Sequence, residues 1–472
     1  MFIGVKKLLF QTTFCFFSIS FTGIAQDSVV LQSATVEIRD IHIAGNKKTK
    51  LFIVLRELGF QKGASVKTTE LETVLLKAKQ QLINTSLFLF VNITKEAVSD
   101  SAIKVLIALK ERWYIFPSPV FSLADKNFNL WWNQQRRSLE RVSYGIALDY
   151  NNVTGHNDNF TFGYQTGYNP SGTVFYKRPN LGRKQQHEVG FLFHRGKARE
   201  VNHITIADRK TFLSLQSFAR FQTELKLFYS LRKNIYTRHN FTLAFTNEKV
   251  DDSVAKVNPN FLGNGQSRIF FPSVIYRFQF NNANNLLYPL KGKSVSAEFL
   301  HHGAGKKYGV NTTQLKIDAN LYLPIGKGFY FTTGFLGKFF LPRRPAFLFT
   351  RGLGYDDRES FRGFDAFALD GNAYGVLKAN VIKRLFSTTL NINFLPSTFR
   401  KIPFEFYLKG LMDGGYVVNP VPGNNVLVNR WLLNRGLSLD IVTFYDINIS
   451  FEYNFNKYIG QGLFFRSKFG LF

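Results

Sequence analysis

The segment Ile447–Asn456 reads INISFEYNFN, and it alternates apolar or aromatic residues with polar residues along its whole length. Leu315–Leu321 (LKIDANL) and Phe160–Gln165 (FTFGYQ) have the same pattern. Successive side chains of a β-strand point to opposite faces, so each segment predicts a strand with one apolar face and one polar face. Similar segments recur along most of the chain, which indicates a mainly-β protein.

Strands of this kind occur both in soluble β-sandwiches and in membrane β-barrels. The chain has 52 Phe and 20 Tyr, an aromatic share of 16%, and Lys, Asp, Glu and Asn recur on the polar faces. A barrel places aromatic residues at the membrane interfaces and polar residues in its lumen. Beyond the N-terminus no run of 18 apolar residues occurs, which argues against membrane-spanning helices. The pattern therefore favours a 16-stranded antiparallel transmembrane β-barrel over the sandwich.

The barrel is predicted to occupy residues 142–472, with a long loop at about 341–372. Sixteen strands in this range leave about twenty residues for each strand and its connection, which suits strands of 9 to 11 residues. The predicted strand starts are Val142, Asn157, Thr173, Gln186, Val201, Arg220, Ile235, Phe270, Gly292, Thr312, Lys327, Ala373, Pro403, Trp431, Asp446 and Gly462.

Residues 1–25 have the features of a cleavable secretory signal. Two lysines precede the uncharged, mostly apolar stretch Leu8–Phe21, and Gly23 and Ala25 provide small residues for signal peptidase. The single cysteine, Cys15, lies inside this stretch. Removal of the signal would leave no cysteine, which excludes disulfides and thiolate chemistry.

Residues 36–110 predict a small α+β domain of order β-α-α-β-β, and residues 111–141 predict a junction to the barrel. Two helices are indicated by apolar residues at i, i+3 and i+4 spacing. The first would bury Leu51, Val54, Leu55 and Leu58, and the second Leu71, Val74, Leu75, Ala78 and Leu82.

Several phrases carry a family resemblance. IAGN at 43–46 and TSLF at 85–88 lie in the small domain, and LYPLKG at 287–292, FRGF at 361–364 and MDGG at 412–415 lie in the barrel. In this order they resemble the superfamily of outer-membrane assembly and translocation barrels (the BamA/TamA-like, bacterial surface antigen family). The small domain resembles a single POTRA domain.

This resemblance implies roles for individual residues. Phe361, Arg362, Gly363 and Phe364 would form the motif of the sixth extracellular loop, which folds back into the lumen. The other implied residues are Asp413 as the partner of Arg362, Glu452 as a substitute second partner, Gly414 and Gly415 beside Asp413, Pro289 and Gly292 in a strand turn, and Phe469 and Phe472 in a C-terminal insertion signal.

One departure from the family pattern concerns the twelfth strand, where Asn380 stands at a position that is often glutamate. Arg362 would then have one acidic partner on strands twelve and thirteen. Because an exposed ion pair contributes only about 0–1 kcal/mol, we expect Arg362 to position the loop and not to hold the barrel together.

The charge balance narrows the possible partners. The formal net charge is +28, and it becomes +26 when the two lysines of the signal are removed. Nucleic acid is not an expected partner, because the bases are spread over strands and loops and no nucleic-acid-binding module is present. Outer-membrane lipids, lipopolysaccharide and acidic clients fit this charge better.

The sequence predicts no enzyme. The eight histidines have no metal-ligand spacing, and no Gly-x-Ser-x-Gly elbow occurs. Gly292-Lys293-Ser294 resembles the end of a phosphate-binding loop, but Leu287 stands where the first glycine is required. We therefore expect no catalytic residue, no metal and no cofactor.

The resemblance implies an outer-membrane protein whose N-terminal domain lies in the periplasm. That domain would receive an unfolded client or partner protein, and the barrel would deliver it to or across the outer membrane. Two alternatives remain open: a dedicated secretion pore or anion-favouring channel, and a lipid-handling assembly factor.

Overall fold

The computed structural model describes residues 35–123, 139–303, 310–342, 345–355, 359–393, 400–443, 447–458 and 460–468. The predicted signal at 1–25 lies outside these ranges. The described residues form a small N-terminal α+β domain followed by a sixteen-stranded antiparallel barrel sheet.

The N-terminal domain is a four-stranded sheet with two helices. Its elements are β1 (Thr35–Ala44), α1 (Leu51–Glu57), β2 (Ser65–Lys67), α2 (Leu71–Asn84), β3 (Phe88–Ser99) and β4 (Ala102–Glu111). The strand order is β2-β1-β4-β3, with β1 and β4 parallel. The predicted order β-α-α-β-β is present, and the short strand β2 is added to it.

The two helices bury their apolar faces against this sheet. Leu71, Leu75, Ala78 and Leu82 of α2 are buried, in agreement with their spacing. In α1 the buried residues include Ile53 and Val54, and Leu58 directly after the helix is also buried, whereas Leu51 and Leu55 are exposed. The predicted face of the first helix was therefore right at Val54 and Leu58 and wrong at Leu51 and Leu55, because the apolar run LFIVL offers more than one face of helical spacing.

The barrel sheet contains sixteen strands, and each strand pairs with the next one along the chain. A hairpin between the fifth and sixth of them is not part of the sheet. The sixteen strands are β5 (Ile115–Leu123), β6 (Val142–Asn151), β7 (Asn159–Gly167), β8 (Ser171–Leu181), β9 (His187–Ala198), β12 (Arg220–Leu231), β13 (Thr237–Val250), β14 (Arg268–Asn281), β15 (Gly292–His302), β16 (Thr312–Gly326), β17 (Phe329–Leu341), β18 (Ala373–Asn391), β19 (Lys401–Val418), β20 (Trp431–Thr443), β21 (Ile447–Asn456) and β22 (Gly460–Lys468). The hairpin is β10 (Glu200–Ile206) with β11 (Arg209–Ser214), and α3 (Asp252–Val257) lies in a loop.

The two faces of the sheet show why this is a barrel and not a sandwich. In β21 the polar residues Glu452 and Asn454 are buried, while Phe451, Tyr453 and Phe455 are exposed. A soluble sandwich would place them the other way round. An outward apolar face and an inward polar face are the arrangement that a lipid environment requires.

Two strand assignments from the sequence are corrected. The first barrel strand is β5, which pairs with β6 and lies inside the predicted junction 111–141, so the barrel begins before residue 142. This strand contains Pro117 and Pro119, and proline in a sequence usually argues against a strand. Val201 belongs to β10, which pairs only with β11 and is not part of the barrel sheet. The two errors cancel in the total of sixteen.

Successive connections alternate between two ends of the barrel. At the end that we call the proximal mouth, the backbone N–H of Lys50 donates to the carbonyl of Gly155 in the β6–β7 turn, and Arg232 in the β12–β13 turn pairs with Glu57. The N-terminal domain therefore packs against this end. The other end, the distal mouth, carries the β10–β11 hairpin and the long connections 342–372 and 419–430.

Within the described ranges, no helix combines the length and the apolar character needed to cross a membrane.

Candidate functional site

The connection between β17 and β18 folds into the barrel and places Arg362 against the inner wall. The Arg362 Nε donates to Oδ2 of Asp413 at 2.6 Å, and a second guanidinium nitrogen pairs with Oδ1. A third, Nη1, donates to Oδ1 of Asn380 at 2.7 Å. Asp413 is fully buried, and the Arg362 side chain is 11% exposed. This burial differs from the exposed pair that the sequence led us to expect.

The neighbours of Arg362 allow this close approach. The rings of Phe361 and Phe364 stack at 5.0 Å between centroids. Gly363 has φ +77°, and a Cβ there would lie 2.3 Å from the side-chain oxygen of Asn434. A Cβ on Gly415 would lie 3.4 Å from the Phe361 ring. Glycine is therefore required at 363 both by its backbone conformation and by the space available.

Gly414 follows Asp413 on β19, and a Cβ there would make ordinary contact with Leu433 at 3.5 Å. A side chain would therefore fit at position 414, whereas a side chain at position 363 would clash. The predicted MDGG motif thus contributes two residues to the site: Asp413 holds the arginine, and Gly415 lies beside the Phe361 ring.

Glu359 is a second anchor of the same loop, and the sequence analysis missed it. Its carboxylate accepts hydrogen bonds from Lys316, from Lys338 at 3.1 Å and from Tyr374 at 2.8 Å. Burial by itself would raise the Glu359 pKa, but the charges of Lys338 and Lys316 outweigh it and leave the pKa below its ordinary value. The loop is thus fixed by an arginine on one wall and a carboxylate on another.

Glu452 does not bond to Arg362, contrary to the expected second partnership. Its Oε2 accepts from Nε of Arg466 on the last strand at 2.8 Å, and its Oε1 lies 3.6 Å from Nζ of Lys409. Arg466 also pairs with Asp365 of the loop at 2.7 Å. The neutral Asn380 takes the second position beside Arg362. Glu452 instead connects the loop indirectly to the end of the barrel sheet.

The β14–β15 connection, residues 282–291, contains most of the predicted turn motif 287–292 and reaches across the proximal part of the lumen. The Tyr288 hydroxyl donates to Asp440 of β20 at 2.8 Å, and Leu290 packs with Tyr407. Pro289 lies between these two contacts. Gly292 has φ +112°, and a Cβ there would lie 2.6 Å from the carbonyl oxygen of Asn282.

The β10–β11 hairpin closes over the distal mouth. Asp208, at its tip, is fully buried and accepts hydrogen bonds from the backbone N–H groups of Val426 and Leu427 at 2.8 and 3.0 Å. Its carbonyl oxygen accepts from the N–H of Ala368 in the loop that carries Arg362. Burial raises the Asp208 pKa, although these two amides oppose the shift. The hairpin therefore links both long distal connections.

The two ends of the barrel sheet are β5 and β22, and no hydrogen-bonded ladder joins them in the described ranges. The N–H of Asn151 donates to the carbonyl of Tyr114, which directs the amides of 114, 116 and 118 toward β6. Because hydrogen-bonding direction alternates along an antiparallel strand, positions 117 and 119 face the free edge of β5. Both are prolines and have no N–H to offer.

Phe469 and Phe472, the predicted insertion signal, lie outside the described residues. In the part of the chain that the structure describes, no cluster of three or more His, Cys, Asp or Glu side chains is arranged to hold a metal ion.

No protein-family model matches this chain, and no curated protein matches it. The solved structures that are similar to it include two whose likeness reaches a TM-score of 0.50. BamA from Haemophilus ducreyi, in a form lacking POTRA domains 1–3, is 16% identical with a TM-score of 0.50, covering 92% of this chain and 84% of that chain. CdiB from Escherichia coli is 13% identical with a TM-score of 0.50, covering 92% of this chain and 76% of that chain.

At these identities the likeness concerns the fold. The likeness extends over 92% of this chain and therefore includes its sixteen-stranded antiparallel barrel. The small α+β domain precedes this barrel.

Proposed function

We propose that this protein is an outer-membrane assembly or translocation factor. Its POTRA-like domain, on the periplasmic side, receives an unfolded client or partner protein, and the barrel delivers it into or across the outer membrane. The reaction needs no catalytic residue, metal or cofactor, because pairing with an exposed strand edge provides the binding energy. The fold shared with BamA and CdiB supports this class of role.

The observation that carries the proposal is the edge of β5, which pairs with no strand other than β6 among the described residues. A strand edge with open hydrogen-bonding positions is a template for pairing with another chain. Pro117 and Pro119 withhold two donors from that edge, so β22 cannot complete a full ladder with it. A seam that is weakened in this way supports opening toward the lipid, and a client strand would then pair with the other edge positions of β5 or with the edge of β22.

The two elements that cover the distal side support delivery of a client over passive transport. The loop of Arg362 and the hairpin of Asp208 are each held through a buried carboxylate, Asp413 and Asp208. They fit a barrel that opens only while a client passes or inserts.

The proposal predicts that Pro117→Val with Pro119→Val slows client insertion. Each new N–H can add a hydrogen bond across the seam, worth about 0.5–1.5 kcal/mol, so the closed seam becomes more stable. Purified protein in liposomes would be given a urea-unfolded small β-barrel, and insertion would be followed by its heat-modifiable gel mobility. We expect a several-fold lower rate and a higher unfolding temperature of the double variant.

The matched control is Ser118→Val, which lies between the two prolines. Its amide faces β6, so this substitution adds no donor to the seam. Unchanged insertion by the proline variant, with the control equal to wild type, would contradict a role for the seam. Failure of the wild-type protein to accelerate any client would contradict the insertion function and favour a secretion pore.

A further inference from the structure

A cavity of about 390 Å³ lies between the N-terminal domain and the proximal mouth of the barrel. Helices α1 and α2 form one side of it, and the ends of β7, β8, β9, β13 and β14 form the other. Its charged lining residues are Arg56, Glu57, Lys177, Glu188, Arg232 and Arg238. Four bases against two acids leave a formal excess of two positive charges.

The pairing inside the cavity leaves two arginines without a carboxylate. Glu57 is engaged by Arg232, with Nη2 to Oε2 at 2.7 Å, and the carboxylate is 6% exposed. Glu188 lies 3.9 Å from the Lys177 ammonium. Among the described residues, Arg56 and Arg238 form no ion pair with any acid. The excess positive charge therefore resides on two guanidinium groups that share one cavity.

Arg56 is held where its charge is poorly compensated. One of its terminal nitrogens donates to the side-chain oxygen of Asn180, which is neutral. Burial and repulsion from Arg232 together lower the pKa of Arg56 to about 10, although the charge of Glu57 acts in the opposite direction. A bound anion would offset both the burial of Arg56 and its repulsion from Arg232, because its negative charge replaces the lost solvation and reduces the local excess of positive charge.

We propose that this cavity binds a phosphate group. A phosphate monoester carries close to two negative charges near neutral pH, which matches the excess of two positive charges. Guanidinium groups bind phosphate oxygens with two parallel hydrogen bonds, and Arg56 and Arg238 offer two such forks. Amide groups of Asn159 and Gln279 also line the cavity and supply further donors. This site goes beyond the proposed function and does not depend on it.

The volume leaves room for more than the phosphate itself. The group could therefore arrive as free inorganic phosphate or as the headgroup of a phosphorylated lipid, and the two sources share the same chemistry. The test separates them. The protein, folded in dodecyl maltoside micelles, is titrated in a calorimeter with inorganic phosphate and, separately, with dihexanoyl phosphatidic acid. Dihexanoyl phosphatidylcholine, which has no net charge, is the lipid control.

Arg238→Gln should weaken binding by at least about tenfold for whichever of the two ligands binds the wild-type protein, because it removes a charged hydrogen-bond donor. Arg238→Lys keeps the charge but loses the fork, and should recover part of the affinity. The matched control is Arg195→Gln, which makes the same charge change at an exposed position on β9. Heat-modifiable gel mobility checks that each variant is folded, and Arg56→Gln replaces Arg238→Gln if the latter does not fold.

Binding of phosphatidic acid but not phosphatidylcholine would identify a lipid headgroup site, and binding of phosphate alone would identify a site for free phosphate. The proposal is overturned if the wild-type protein binds neither ligand. It is also overturned if the cavity variants bind as tightly as Arg195→Gln.

Discussion

Arg362 holds its loop through a single buried carboxylate, and this makes the residue testable by itself. In Arg362→Ala the fully buried Asp413 would lose its charged partner. Leaving one charge of a buried pair uncompensated costs about 3–5 kcal/mol. We expect the loop to leave the wall while the barrel, held by sixteen strands, still resists heat in detergent.

The measurement is thiol labelling at Ala368→Cys, because Ala368 is 1% exposed and Cys15 is the only cysteine of the chain. Labelling of the reporter in the mature protein should accelerate at least tenfold when Arg362→Ala is added. Asp413→Asn with Arg362→Ala should be milder than Arg362→Ala alone, since no buried charge is stranded. Loss of the folded barrel in Arg362→Ala would show that the pair is mainly structural.

Sequence motifs identified only part of this site. The arginine and Asp413 stand in short phrases that a family resemblance can locate. Glu359 and Asp365 stand in the same loop, but their partners Lys316, Lys338 and Arg466 lie on distant strands. Alternation indicates which strand residues face inward, but it does not indicate which of these residues a loop will contact. The choice of Asn380 over Glu452 as the second neighbour depends on that missing information.

Among the elements, the β10–β11 hairpin is the one with a built-in dependence on pH. Burial raises the pKa of Asp208 and of Asp370, which both lie in distal connections. The carboxyl groups of Asp208 and Asp370 therefore hold their protons more tightly in the closed state than in an open, solvated state. Closure is favoured at low pH and is weakened as pH rises through the raised pKa values. Arg430, which lowers the Asp208 pKa, is the opposing charge.

Spin labels at Ile206 and Val421, both exposed, would report closure as a distance distribution. We expect a single short distance at pH 4 and a growing longer population toward pH 8. Asp208→Ala removes the acceptor for two backbone amides, one of them buried, which costs about 1–3 kcal/mol, and should open the hairpin at every pH. Asp208→Asn mimics the protonated acid and should stay closed with a flatter pH response. A wild-type distribution that does not change with pH would exclude the switch.

Element prediction succeeded where strands alternate cleanly and failed where another factor dominates. Ile115–Leu123 was assigned to the junction 111–141, and its two prolines, which are rare in strands, gave no sign of a strand there. Yet an edge position tolerates proline, since no amide is needed there. Val201 was assigned to the barrel because its segment alternates. In the structure β10 pairs with β11 and forms a separate hairpin. The sequence of one strand does not indicate which other strand it will pair with.

On the scale of the molecule, the N-terminal domain and the barrel share an interface through Lys50, Glu57 and Arg232. The proposed function assigns client reception to the domain and membrane insertion to the barrel. Deletion of residues 36–110 should therefore leave a barrel that folds and inserts but no longer accelerates client insertion. The liposome assay with an unfolded client measures this directly. Full activity of the truncated protein would show that the domain receives nothing.

The overall architecture was predictable because one physical rule repeats along the chain. Alternation with buried polar and exposed apolar residues indicates a barrel, and sixteen strands were expected from chain length and spacing. The folding of the Arg362 loop into the lumen was expected from the family resemblance, whereas the β10–β11 hairpin over the distal mouth was not predicted. The contacts of this hairpin join residues up to 219 positions apart, as between Asp208 and Leu427.

The most direct test of a closed, client-delivering barrel is conductance in a planar lipid bilayer. Wild-type protein and Arg362→Ala would be compared under the same salt gradient, with Arg195→Gln as a control for loss of one positive charge. We predict low or flickering conductance for wild type and for the control, and a clear increase for Arg362→Ala. A large, steady, anion-selective conductance of the wild-type protein would contradict the closed lumen and identify a transport pore.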